Sequence, residues 1–161
     1  MRIQEEQYGL YCPDNLASVP LQGMHVDAQV QDLLSEVVIS QTYQNDEVQA
    51  IEAVYTFPLP LDAVLLEFSV KLGDRQLQGT VQERQQAEDQ YEQAVTDGDA
   101  AIMLQQLEPG MFTVNVGNLL AGETAVIEFR YAQLHHWTGD ILRWHLPTVV
   151  SPRYGRPALE P

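Results

Sequence analysis

The chain keeps returning to a hydrophobic period of two. Val26, Ala28 and Val30 alternate with polar residues in the stretch from Met24 to Val30, and Val37-Val38-Ile39-Ser40-Gln41-Thr42-Tyr43 continues the rhythm. Alternation gathers apolar side chains on one face of an extended segment, which is the mark of a half-buried strand. Ile51 to Phe57, Val64 to Lys71, Arg75 to Gly79, Ala101 to Leu104, Phe112 to Val116, Ala125 to Tyr131 and Ile141 to Leu146 read the same way. Asn45-Asp46-Glu47, Leu72-Gly73-Asp74, Glu108-Pro109-Gly110, Leu120-Ala121-Gly122-Glu123 and Thr138-Gly139-Asp140 supply turns between them. The first two strands are expected to join around Leu33 to Glu36, and Pro58 and Pro60 stop the third because proline cannot donate to a ladder. Many short strands without strand and helix alternation predict a mainly β fold, an antiparallel sandwich or barrel.

One segment breaks the pattern. Gln82 to Val95 is polar, and Ala87, Tyr91, Ala94 and Val95 fall at helical spacing on one narrow stripe. Thr80 with Glu83 fits a capping box and Gly98 follows as a stop, so one α-helix is expected over about residues 82–96. Its place is on a sheet edge with its polar side in water, where Tyr91 anchors it.

At 161 residues the chain suits a single domain. Its 8 Lys and Arg against 23 Asp and Glu leave a formal net charge of -15, which repels phosphate and argues against nucleic acid and anionic membranes as partners. Cys12 is the only cysteine, so an internal disulfide is excluded. Neither a signal-like apolar run nor a stretch of roughly 20 apolar residues is present, and a cytoplasmic location is expected.

Catalytic chemistry is hard to place. Gly117-Asn118-Leu119-Leu120-Ala121-Gly122-Glu123-Thr124 has the glycine spacing of a phosphate loop, but Glu123 stands where a lysine is needed and a strand-like run follows. Asp97-Gly98-Asp99 lacks the remaining ligands of a calcium loop and reads as a helix-ending turn. His135, His136 and His145 fall within one expected hairpin, yet neighbouring residues on a strand point to opposite faces, which leaves at most two on one side where zinc wants three or four ligands. They are read as exposed hairpin histidines and only weak metal candidates, so no metal, cofactor or catalytic residue is assigned. Trp144 reads as core. Trp137, beside the turn with His136, is the candidate interaction anchor.

An ordered set of segments resembles the VIT domain, the module named for vault protein and inter-alpha-trypsin inhibitor heavy chains. The set comprises Ala53-Val54-Tyr55-Thr56-Phe57-Pro58-Leu59-Pro60, the Gly73-Asp74-Arg75 turn with Gly79, the helix with Ala87, Tyr91 and Ala94, and Gly98-Asp99-Ala100-Ala101. Phe112-Thr113-Val114-Asn115-Val116-Gly117-Asn118-Leu119, Ala121-Gly122-Glu123, and Leu146-Pro147 leading to Pro152-Arg153-Tyr154 complete it, over about residues 8 to 155. The resemblance implies a β-sandwich with one helix, a non-catalytic interaction or scaffold module, and an adjacent von Willebrand factor A domain as partner. It places the VIT domain at 1–151 and the start of a linker at 152–161, in the manner of intracellular VIT and von Willebrand A proteins. The Asp-x-Ser-x-Ser metal motif of the A domain does not occur in this chain. The competing readings are a carbohydrate- or ligand-binding adhesion sandwich using Trp137, and a metal-dependent enzyme using the histidines.

Overall fold

The computed structural model describes residues 9–14, 17–78, 93, 96 and 101–146. Among them nine strands follow in chain order: β1 (Gly9–Tyr11), β2 (Leu21–Gln31), β3 (Leu34–Gln44), β4 (Ile51–Pro58), β5 (Ala63–Leu72), β6 (Arg75–Gln78), β7 (Ala101–Glu108), β8 (Met111–Leu119) and β9 (Thr124–Leu134). They form a four-stranded sheet in the order β1-β4-β8-β7 and a five-stranded sheet in the order β2-β3-β9-β5-β6. Every pairing is antiparallel.

Alternation in the sequence becomes burial in the fold. On β9, Ala125, Ile127, Phe129 and Tyr131 are buried, while Glu128 lies exposed and Arg130 half-buried on the other face. The four-stranded sheet answers with Ala53, Tyr55 and Phe57 of β4 and Val114 and Val116 of β8. Phe57 joins the two layers, its ring 4.4 Å from Phe129, 5.8 Å from Phe68 and 5.6 Å from Phe112. Aromatic burial of this extent is a main driving force for closing a sandwich. On the outer face Arg130 bridges two neighbouring strands, reaching Glu36 of β3 and Glu67 of β5.

Leu66 is an extra residue on β5: Leu65 pairs with Tyr131 and Glu67 with Arg130. This bulge restores the phase, so that Phe68, Val70 and Leu72 still point inward. Gly73 in the β5–β6 turn has φ +55, and a Cβ there would sit 2.8 Å from the Glu123 carboxylate. Glycine is therefore required by backbone and neighbour alike.

Several expectations need correction. The β2–β3 turn is Asp32–Leu33, tighter than Leu33 to Glu36, because Asp32 takes a left-handed φ of +54 and Ser35 belongs to the buried face of β3. β1 was not foreseen; at three residues it is too short to show a period. Ile141 to Leu146 is not a strand: among the described residues it makes a single bridge, Thr138 to Ile141, and Leu146 packs against the core. Trp144 is accordingly exposed and not core. The helix expected over about 82–96, with Tyr91, lies outside the described residues except Gln93 and Thr96, which are helical. The 152–161 linker start lies outside them too.

Candidate interaction surface

β3 and β9 bring their ends together in antiparallel register, with Leu34 opposite Leu134, and β5 adds Val64 opposite Ala132. These side chains share the outer face of the five-stranded sheet, and Leu34, Leu134 and Val64 are about half exposed or more. The segment leaving β9 continues the apolar character with Trp137 at 59% exposure and Ile141 at 65%. A soluble domain scatters single exposed hydrophobics, whereas a cluster gathered at one end of a sheet marks a contact surface.

Beneath this surface the sheet is polar and tightly bonded. His135 is buried, contrary to the expected exposed hairpin histidine, because the chain folds back once β9 ends: its N–H donates to the Leu33 carbonyl at 2.6 Å and its Nε2 lies 2.7 Å from Ser35 Oγ. Ser35 is 0% exposed, so the Ser35–His135 pair is out of reach of a substrate carbonyl. Gln133 donates to Asp62 at 2.8 Å and pins the start of β5. His136 and His145 are exposed and stand apart from His135 in burial. Among the described residues no group of three His, Cys, Asp or Glu is placed to hold a metal ion. Trp137 is where the sequence reading put it, at an exposed position beside a turn.

Sequence reasoning missed the polar residues that organise the rest. Gln41 Oε1 accepts from the hydroxyls of Tyr43 at 2.9 Å and Tyr55 at 2.7 Å, and its Nε2 reaches Met24 Sδ at 3.4 Å. Burial pushes the Tyr43 phenol up to about 12, against a small lowering by the Leu10 main chain. Burial likewise holds Tyr55 well above the ordinary phenol range, reinforced by the neighbouring Tyr43 charge, and raises Tyr131. At the far end of the sandwich Asn45 Nδ2 donates to the carbonyls of Gln49, Leu119 and Leu120 within 3.1 Å. Glu123, the residue that spoils the phosphate-loop pattern, accepts from Arg75 at 2.8 Å and from the Leu120 N–H at 2.9 Å. Asn45, Arg75 and Glu123 left traces in the sequence only as turn residues, and Gln41 left none; their pairing joins positions far apart along the chain.

Cys12, Asp14, Glu47, Glu52 and Asn118 line a cleft of about 410 Å³ near β1, acidic in keeping with the whole chain.

Two antiparallel sheets packed face to face define a β-sandwich module. The sequence matches the Vault protein inter-alpha-trypsin domain over residues 21–131, and the chain belongs to this VIT family. It is 32% identical over 134 residues to protein mono-ADP-ribosyltransferase PARP4 of Homo sapiens, covering 83% of this chain and 8% of that protein. Similarity to von Willebrand factor A domain-containing protein 5A of Rattus norvegicus is 31% over 153 residues, 93% of this chain and 18% of the relative. The Mus musculus protein of the same name is 30% identical over 143 residues, 87% of this chain and 18% of its own length. The chain thus spans less than a fifth of the curated relatives it matches.

Proposed function

We propose that this VIT domain is a non-catalytic interaction module whose apolar end docks against a folded protein surface. The first partner to test is a von Willebrand factor A domain in the same polypeptide. The observation that carries the reading is the gathering of exposed Leu34, Leu134 and Val64 at one end of the five-stranded sheet, with exposed Trp137 and Ile141 following β9 along the chain. Relatives named for a von Willebrand factor A domain support the choice of partner. A single buried and unpaired cysteine, Cys12, fits work in the reducing cytosol.

Both tryptophans of the chain, Trp137 and Trp144, lie after β9, so intrinsic fluorescence reports on this end. Adding the von Willebrand factor A domain of the same full-length protein should shift Trp emission to the blue and saturate. Leu134→Ser with Ile141→Ser should abolish the shift. An unchanged spectrum, or a full-length protein without such a domain, overturns the proposal. The exposed Trp137 indole also favours a carbohydrate-binding reading, which the same emission reads against a glycan panel. The metal-dependent reading is the weakest, because His135 is already committed to Ser35.

A further inference from the structure

β2 is the one long strand that the four-stranded sheet does not cover. All eleven of its residues are exposed except Val26, which is half-buried against the core. It lies at the edge of its sheet, and among the described residues nothing pairs with its outer side. Proteins ordinarily blunt such edges with lysine, proline, shortness or a bulge. β2 contains no lysine and no proline, and its bulge is confined to Leu21–Gly23, leaving Met24 to Gln31 in unbroken register with β3.

The register tells which main-chain groups are free. The two-residue turn closes on the Gln31–Leu34 pair, the hydrogen-bonded kind, and bonded and open pairs then alternate along the ladder. Gln29, Asp27 and His25 therefore turn their peptide groups toward β3. Val30, Ala28, Val26 and Met24 turn theirs outward, while their side chains lie on the inner face with Val37 and Ile39 of β3.

We propose that this edge pairs antiparallel with β2 of a second copy of the chain, about a two-fold axis through Val26. Val26 lies midway between His25 and Asp27, so an axis through it sets these two unlike side chains against each other. It sets Val26 against Val26 of the second copy and Met24 against Ala28 as hydrogen-bonded pairs. It also sets His25 opposite Asp27 of the second copy, twice, at open pairs where side chains approach most closely. Axes through Met24 or Ala28 place His25 opposite Gly23 or Gln31, and axes through His25 or Asp27 place like residues opposite each other. The strand is self-complementary in backbone at one register, where each His25 ring faces an Asp27 carboxylate that can accept its N–H. Asp27 is its only carboxylate in a chain of net charge -15, so repulsion between copies opposes contact along this edge only weakly.

Sedimentation equilibrium of the 161-residue chain should show a monomer–dimer equilibrium that stops at the dimer. His25→Asp, which sets Asp against Asp twice, should weaken the dimer by about tenfold, as should Asp27→His. The double swap should restore wild-type association. Ala28→Pro removes an outward N–H without touching the β2–β3 bonds and should leave a folded monomer by circular dichroism. The inference fails if the chain is monomeric at every concentration, if it grows past the dimer, if neither single swap weakens it, or if the double swap does not rescue.

Discussion

The two ends of the sandwich are built on opposite plans. At the end where β3 finishes and β9 begins, polar side chains tie turns from both sheets together. Asn45 of the β3–β4 connection holds the carbonyls of Leu119 and Leu120, its own N–H donates to Glu123 O, and its carbonyl accepts from Gly122. Arg75 of β6 closes the arrangement on Glu123. At the other end Ser35, His135, Gln133 and Asp62 bond at the inner side, and on the outer face exposed Leu34, Leu134 and Val64 lie beyond the Arg130 bridge to Glu36 and Glu67. The first end uses its polar groups to hold the fold, and the second leaves apolar area exposed to solvent.

The sharpest way to break this comparison is Asn45→Ala. One buried amide serves three carbonyls in two turns, and its loss strands groups that water reaches poorly, at roughly 1–3 kcal/mol each for those left unsatisfied. The expected destabilisation is about 3 kcal/mol in urea unfolding, against no more than about 0.5 kcal/mol for Trp137→Ala at the opposite end. Equal costs at the two ends would refute the division.

A smaller effect separates the tied end by pH. Tyr43 sits opposite Ala125 near that end, and burial raises its phenol from the ordinary value near 10 to about 12. Because the folded state holds the phenol neutral, the stabilisation is fully present below the unfolded value and is lost as pH rises through the folded one. The Tyr43 contribution should therefore be constant up to about pH 10 and fall by on the order of 2 kcal/mol toward pH 12, with Tyr55 and Tyr131 adding losses of the same sign. Tyr43→Phe should flatten that decline; an unchanged alkaline profile would show that the loss originates elsewhere.

How much of this was legible in the sequence follows from what each feature depends on. The two-residue period of Val37 to Tyr43 and of Ala125 to Tyr131 is local, so strands β3 and β9 were placed to within a few residues. Ile141 to Leu146 has the same composition, but it is not a strand because only one bridge to Thr138 forms. Propensity proposes a strand, and a free neighbour decides it. Trp144 was misjudged for the same reason, since its expected burial rested on that strand. His135 was misjudged because the pleat of a strand was extended past Leu134, where the chain turns back to bond Leu33 and Ser35. Trp137 was legible because its place beside a turn needs no distant partner. The order of sheets, β1-β4-β8-β7 over β2-β3-β9-β5-β6, depends on contacts between distant segments, and the family resemblance supplied the sandwich where periodicity alone left a barrel open.

The smallest expected stability change sharpens the comparison most, because it separates a surface kept for folding from one kept for contact. Leu134 is 55% exposed and Ile141 is 65% exposed, so each already gives much of its side chain to water in the folded domain. Replacing both by Ser removes little burial, and the double variant should unfold within about 0.5 kcal/mol of the parent with an unchanged urea dependence. Its solubility should rise, since the patch at the end of the β3–β9 ladder is broken. If the double variant instead loses 2 kcal/mol or more, on the order of a buried large-to-small change, those side chains are covered in the folded chain and the apolar end belongs to the core.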